Sequence, residues 1–222
     1  KDACTAVLKA WSNDPSAYYA CGSTIGPFPF PRIVQFAQSV IGREIKKQIL
    51  EKENRLPDMI IACIGGGSNL MGAIHEFLDD KEVSLIGVEA KDSAALSFGS
   101  TGIMQGFKSE MLQTKDGSAT LPTSSLASGI NFYSAGPEHA YLKKIGRVKY
   151  TYASDEAAFD AFQTLCKTEG ILPAFEPSFA LAIAMKEAKK HKKDHLLVCN
   201  ICGRGDKDID MAEKMLGDKL GK

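Results

Sequence analysis

The sequence of 222 residues has no excess charge of either sign, since 27 Lys and Arg residues balance 27 Asp and Glu residues. It has no basic block interleaved with aromatic residues, so nucleic acid is not expected as a partner. No apolar run reaches the length of about 18 residues that a membrane-spanning helix needs, and no secretory signal pattern is found. These absences predict a soluble, cytoplasmic protein without nucleic-acid or membrane partners.

Cysteine is present but lacks the paired spacing of a metal site. The six cysteines stand at positions 4, 21, 63, 166, 199 and 202. Cys199 and Cys202 match Cys-x-x-Cys, yet alternation along a strand would put their side chains on opposite faces, which argues against a shared zinc or redox site. We therefore expect reduced thiols and no metal bound by side chains.

Hydrophobic periodicity predicts an α/β fold. Short apolar runs at 59–64, 83–89, 148–152 and 195–201 are typical of buried strands. Helical patterns are predicted for an initial segment to about Trp11 and for 33–52, 70–78, 138–145, 155–169 and 178–190. Strands separated by such helices favour a mostly parallel sheet covered by helices on both faces. The segment 91–123 has no clear period, and we expect a long connection that reaches the mouth of the active site.

The most informative segment is the strand pattern at 59–64 followed by Gly65, Gly66, Gly67, Ser68 and Asn69. Glycines allow a tight turn, and the free N–H groups of the next helix then point into it, which is an arrangement that binds phosphate. A dinucleotide motif would need glycine at position 70, and a P-loop would need Lys followed by Ser or Thr after its last glycine; neither is present. The same residues also fit a tight turn that binds nothing.

Four further motifs occur along the chain, at 26–31, 136–142, 169–176 and 202–208. In this order and spacing, together with the glycine loop, they resemble the tryptophan synthase β subunit from about Lys1 to the last residues. The resemblance implies an incomplete pyridoxal-phosphate enzyme of the second fold type, which joins indole to L-serine by β-replacement. Residues 1–222 would be its C-terminal portion, with the cofactor-phosphate domain and part of a second domain near 1–25 and at the C-terminal segment.

The resemblance assigns the cofactor to two segments. Gly65, Gly66, Gly67, Ser68 and Asn69 would bind its phosphate. Cys202, followed by Gly203, would face the pyridine nitrogen at a position where the family usually has Ser. A thiol can still act as a weak donor or acceptor there. A buried structural cysteine at a strand end is the alternative for Cys202.

The resemblance also names candidates beside the substrate. Glu176 would lie next to the cofactor ring, or would simply open a helix as a first-turn carboxylate. Asn131 stands where the family has an Asp that reads the serine hydroxyl and holds the closed state. Its neutral amide puts in doubt how well the site excludes water. The backbone carbonyls of Phe132 and Ser134 would contribute to a monovalent cation site.

Other features depart from the family. Phe28 and Phe179 replace histidines, and the His-Lys-x-Asn motif that carries the Schiff-base lysine does not occur in the 222 residues. The implied partners are an α-type subunit and a second β subunit, in a heterotetramer. The alternatives are a noncatalytic fragment or divergent paralogue, or a serine deaminase-like lyase that uses the same cofactor.

Overall fold

The computed structural model describes residues 2–220, in which helices and strands alternate along most of the chain. The helices are α1 (Asp2–Asn13), α2 (Phe30–Gln38), α3 (Val40–Glu53), α4 (Ser68–Ile74), α5 (Ala95–Phe98), α6 (Pro137–Lys144), α7 (Asp155–Glu169), α8 (Phe175–Ala188) and α9 (Ile209–Leu220). The strands are β1 (Met59–Cys63), β2 (Ser84–Ala90), β3 (Ser100–Met104), β4 (Phe107–Met111), β5 (Lys149–Ala153) and β6 (Leu197–Cys199). Short 3₁₀ turns lie at His75–Phe77, Lys91–Ser93, Ser128–Ile130 and Gly205–Asp208.

Four strands form one parallel sheet in the order β5-β2-β1-β6. The central strand β1 is buried along its whole length, and its side chains alternate between two cores. Ile61 packs with Phe159 and Phe179 of α7 and α8, whereas Ile60 packs with Leu70 and other residues around α4. The predicted α/β fold, a parallel sheet flanked by helices, is therefore confirmed.

The segment 33–52, predicted as one helix, is two helices that meet at Ser39. The Ser39 hydroxyl donates a hydrogen bond to the carbonyl of Phe36 at 2.7 Å. Such a local bond competes with the regular helix ladder. The predicted strand at 195–201 is also shorter, because only Leu197–Cys199 pairs with β1.

The segment 91–123 is more ordered than its sequence predicts. It contains α5 and the antiparallel hairpin of β3 and β4. The hairpin turns at Gln105 and Gly106, both with positive φ, as two-residue hairpin turns require. Its first strand is polar and partly exposed, so it forms no apolar run that would predict a strand.

Within residues 2–220, no helix is long and apolar enough to cross a membrane. The same part of the chain contains no group of three or more His, Cys, Asp or Glu side chains that could hold a metal ion.

Candidate functional site

The candidate site lies beyond the carboxyl ends of β1 and β6, where ligands bind in parallel sheets. A pocket of about 240 Å³ opens there. It brings together most of the predicted residues with others that no sequence motif marks. Its lining residues are Ser23, Cys63, Gly65, Gly66, Gly67, Ser68, Asn69, Gly129, Ile130, Glu176 and Cys202.

The glycine loop is held in a conformation that side chains would disrupt. Gly67 has φ of 113°, and a Cβ atom there would collide with the His139 ring. A Cβ atom at Gly66 would collide with the Ser23 hydroxyl. The Gly66 carbonyl accepts hydrogen bonds from Thr24 Oγ1 at 2.8 Å and from the Gly136 N–H at 2.9 Å. Packing on both sides thus explains why this loop needs glycine.

His139 packs against the glycine loop and is hydrogen-bonded to it. The residue is fully buried, its Nε2 lies 2.8 Å from the Gly67 carbonyl oxygen, and its Nδ1 lies 3.0 Å from the Tyr150 hydroxyl. Burial lowers the pKa of His139 to about 4, although the hydrogen bond to Gly67 opposes this shift. The ring is therefore neutral at pH 7, with the Nε2 proton donated to Gly67 and Nδ1 accepting from Tyr150. In the sequence, His139 is marked only as a member of the motif at 136–142.

The loop presents hydrogen-bond donors to the pocket. Within the described residues, the N–H groups of Gly65, Gly66 and Gly67 and the hydroxyl of Ser68 have no protein acceptor. The Asn69 side chain is engaged differently: its Nδ2 donates to the Cys63 carbonyl at 3.2 Å, and its Oδ1 accepts from Asn200 Nδ2 at 2.7 Å. Asn69 therefore fastens the loop to the neighbouring strand ends, whereas the other four residues offer free donors.

Two thiols also border the pocket. Cys202 Sγ is 3.7 Å from Cys63 Sγ. A hydrogen bond from Cys63 lowers the pKa of Cys202, and the same contact together with burial raises the pKa of Cys63. Cys202 is partly buried and lines the pocket. Gly203 follows with φ of 78° and packs near Ala174, outside the pocket lining.

Glu176 lies in the first turn of α8, which is one of its two predicted placements, and its side chain lines the pocket. Its place beside a cofactor ring stays a prediction. Its Oε1 accepts hydrogen bonds from the Gly129 N–H at 2.9 Å and from Lys207 Nζ at 3.1 Å. Burial opposes the charge on Lys207, but its bonds to Asp208 and Glu176 outweigh this and raise its pKa. Lys207 is a residue that sequence reasoning missed, because its approach to Glu176 depends on the fold.

A second pocket of about 390 Å³ adjoins the first and shares Ser23, Gly66 and Gly129 with it. Its lining includes an aromatic cluster: Trp11 stacks on Tyr19 at 5.4 Å between ring centroids, and Phe30 meets Tyr19 edge-on at 5.0 Å. Sequence reasoning missed this aromatic cluster, because only Phe30 belongs to a motif, at 26–31, and no local pattern joins it to Trp11 and Tyr19.

The remaining predicted residues lie at or near this second pocket. Asn131 and Phe132 line it, and Asn131 Oδ1 accepts a hydrogen bond from the Ser93 hydroxyl at 3.3 Å. Gln105 of the β3-β4 turn also lines it, as expected for a segment near the site mouth. Ser134 is buried and lines neither pocket, and its hydroxyl donates to the Glu110 carbonyl at 2.9 Å. The cation site at the carbonyls of Phe132 and Ser134 stays a prediction.

The donor set of the smaller pocket fits the implied cofactor. The backbone N–H groups and the hydroxyl of the loop suit a phosphate. The Cys202 thiol suits a pyridine nitrogen, with which it can share a weak hydrogen bond. No positive side chain lies in the loop itself, so amide dipoles supply the attraction.

Comparison with known proteins finds a similar fold and a matching family. The fold is similar to that of a threonine deaminase from T.th., with a TM-score of 0.55 and 20% sequence identity. The match covers 75% of this chain and 56% of that protein, so the chain spans just over half the length of this relative. The model of the family described as "Pyridoxal-phosphate dependent enzyme" matches residues 1–203. The chain therefore belongs to this family, whose members bind pyridoxal 5'-phosphate.

Proposed function

We propose that this chain is the C-terminal portion of a tryptophan synthase-type β subunit, a lyase that joins indole to L-serine with loss of water. The observation that carries the proposal is the aromatic pocket beside the glycine loop. Trp11, Tyr19 and Phe30 form apolar walls of a size suited to a flat aromatic co-substrate. The two pockets share lining residues, so such a molecule would lie next to the cofactor.

The residues of the smaller pocket would bind the cofactor by its two ends. The N–H groups of Gly65, Gly66 and Gly67 and the Ser68 hydroxyl would hold the phosphate. Cys202 would face the ring nitrogen without protonating it. When bound, the cofactor supplies an electron sink for elimination at the serine side chain.

Glu176 and Asn131 would act on either side of the reacting atoms. Glu176 is oriented by the Gly129 N–H and by Lys207, and the Lys207 ammonium compensates its charge inside the pocket. A carboxylate held beside the ring would tune the proton shared with the ring oxygen. Asn131 would hydrogen-bond the serine hydroxyl. The backbone carbonyls of Phe132 and Ser134 would help to bind a monovalent cation.

The proposal requires groups that these 222 residues do not supply. A lysine from another segment would form the Schiff base, and an α-type subunit and a second β subunit would complete a heterotetramer. The denatured mass of the purified protein, before and after borohydride reduction, tests the first requirement. A pyridoxyl adduct on a mass above that of the 222 residues would support it, and a mass equal to these residues without adduct would indicate a fragment that does not catalyse alone.

A product assay tests the reaction itself. The complete protein, loaded with pyridoxal phosphate, is incubated with L-serine and indole, and tryptophan and pyruvate are quantified. Tryptophan as the main product is the expected result. Pyruvate regardless of indole would favour a serine deaminase-like lyase, which the neutral side chain of Asn131 also favours. Neither product from protein with bound cofactor would indicate a noncatalytic paralogue.

A further inference from the structure

The sheet places two thiols side by side in the lining of the smaller pocket. Cys63 is the last residue of β1, and Cys202 follows the end of β6 by three residues. These strands are hydrogen-bonded neighbours, with Ile61 opposite Cys199. Although 139 residues separate the two cysteines, their sulfur atoms lie 3.7 Å apart.

This separation is the contact distance of two thiols, and a small movement brings them within bonding distance. A disulfide needs about 2.05 Å between the sulfurs, so closure requires an approach of about 1.7 Å. Both side chains border the pocket, and the Cys63 sulfur also accepts a hydrogen bond from Asn69 Nδ2 at 3.4 Å. Both are free thiols in this structure.

We propose that Cys63 and Cys202 form an intramolecular disulfide when a peroxide reaches the pocket, and that this bond is a reversible modification site. The Cys202 thiolate attacks a peroxide oxygen, and the second oxygen leaves as water after it takes up a proton. The resulting sulfenic acid is attacked by the Cys63 sulfur, which loses its proton as the sulfenic hydroxyl leaves as a second water. In total, two thiols lose two electrons and one hydrogen peroxide becomes two waters.

The environment of the pair assigns the two roles. The hydrogen bond from Cys63 lowers the pKa of Cys202, which therefore ionises first and reacts first. Cys199 is the competing partner in sequence, since it forms a Cys-x-x-Cys pair with Cys202. Geometry favours Cys63 over Cys199: the Cys63 sulfur is in hydrogen-bonding contact with the Cys202 sulfur at 3.7 Å, whereas Cys199 makes no such contact with Cys202 within the described residues.

The disulfide would also regulate cofactor entry, and this consequence rests on the proposed placement of the cofactor ring beside Cys202. A bonded sulfur pair can no longer present the thiol to the ring nitrogen. Conversely, a bound cofactor would shield Cys202 from peroxide. Oxidation would thus act on the protein before it is loaded.

Trypsin offers a direct test, because it separates the two cysteines into different peptides. Cys63 falls in residues 56–81, and both Cys199 and Cys202 fall in residues 194–204. The full chain is treated with hydrogen peroxide, its remaining thiols are blocked, and non-reducing peptide mapping follows. We expect a crosslinked pair of these peptides, loss of two titratable thiols and recovery with dithiothreitol.

Three variants identify the bond. Cys199→Ser is the matched control, which should keep the crosslink, whereas Cys63→Ser and Cys202→Ser should lose it. An internal Cys199–Cys202 bond, or oxidised Cys202 without a crosslink, would overturn the proposal. Peptide mapping of the wild-type chain shows whether the Cys63–Cys202 disulfide forms, even if one of the variants fails to fold.

Cofactor binding gives a second and separate readout. Protein with bound pyridoxal phosphate, followed by its absorbance, should crosslink more slowly than protein without it. Equal rates with the crosslink present would support the disulfide but contradict the placement of the ring beside Cys202. Cofactor binding without any crosslink in the unloaded protein would leave that placement intact and overturn the disulfide.

Discussion

The Nε2 atom of His139 lies 2.8 Å from the carbonyl oxygen of Gly67, and this contact links the start of α6 to the loop that follows β1. His139 is buried and neutral, and Tyr150 from β5 holds its other nitrogen. The loop thus takes its shape from two elements far along the chain. Its geometry is consequently sensitive to changes at Gly67.

Gly67→Ala should destabilise the protein. Alanine at a φ of 113° is strained, by about 1–2 kcal/mol, and its Cβ would displace His139. We expect urea unfolding to show a loss of at least about 2 kcal/mol. Gly217→Ala is the control, because a Cβ there meets no atom within 4 Å, and helix propensity should make it neutral or stabilising. Equal stability of Gly67→Ala and the wild type would contradict the role of the loop packing.

Ser68→Asp should abolish retention of pyridoxal phosphate, because it sets a negative charge against the phosphate. Ser68→Ala should weaken retention less, since it removes only one hydroxyl donor. Absorbance of the bound cofactor after gel filtration measures the effect. Ser84→Asp, at the opposite end of the sheet, should retain cofactor like the wild type. Normal retention by Ser68→Asp would overturn the assignment of the loop to the phosphate.

Glu89→Gln should change how stability depends on pH. Burial raises the pKa of Glu89 to about 7, despite hydrogen bonds from Leu96 and Ser97. Above the unfolded pKa of 4.5, the folded state therefore binds more protons at this site than the unfolded state, so Glu89 makes stability fall as pH rises from 4.5 to about 7. His139 acts in the opposite direction, because its folded pKa of about 4 lies below its unfolded value of 6.5. Its contribution to the stability of the folded state is therefore fully present above pH 6.5 and is lost as the pH falls towards 4.

In the wild type, Glu89 and His139 have opposite effects on the pH dependence of stability between pH 4.5 and 6.5. Glu89→Gln removes the effect of Glu89 and leaves that of His139. We therefore expect the free energy of unfolding of this variant to rise by about 2–3 kcal/mol as the pH rises across this window. Urea unfolding at a series of pH values measures the slope. The exposed variant Glu51→Gln should keep the wild-type profile. A Glu89→Gln profile parallel to the wild type would mean that Glu89 is not protonated in this range.

Asp208→Asn should destabilise the start of α8. Asp208 Oδ2 accepts a hydrogen bond from the N–H of Phe175, the first residue of that helix, at 2.9 Å. Loss of a charged acceptor at a helix start costs about 1 kcal/mol. Asp206→Asn is the control, because its ion pair with Arg204 is on the surface and should have no measurable effect. Similar unfolding curves for the two variants would show that the Asp208 contact contributes no stability.

Asn131→Asp should shift the products of the complete enzyme from pyruvate towards tryptophan. A carboxylate at this position can form charge-assisted hydrogen bonds, which are stronger than those of a neutral amide. Such bonds would hold the site closed and exclude water. The ratio of tryptophan to pyruvate, measured at fixed serine and indole, should rise severalfold. Asn13→Asp, on the exposed end of α1, should leave the ratio unchanged. A constant ratio in Asn131→Asp would remove Asn131 as a determinant of product choice.

Local signals account for the parts of the fold that the sequence predicts well. The predicted helix at 155–169 is confirmed with the same bounds, because Ser154 caps its start by accepting from the Ala157 N–H, and Gly170 ends it with φ of 69°. Apolar runs mark the central strands β1 and β2, since burial on both faces imposes them. The hairpin of β3 and β4 lacks such a mark, because the exposed residues of β3 leave no strong apolar pattern.

For the site, short sequence motifs were enough to predict the glycine loop after β1. They were also enough to select Glu176 and Cys202 as candidate site residues. The contacts between these segments could not be predicted in the same way: His139 reaches Gly67 across 72 residues, Glu176 reaches Gly129 across 47, and Cys63 reaches Cys202 across 139. The strand order β5-β2-β1-β6 brings the segments to one edge of the sheet. Such contacts arise only in the folded chain, because they depend on the pairing of distant strands, which no local pattern specifies.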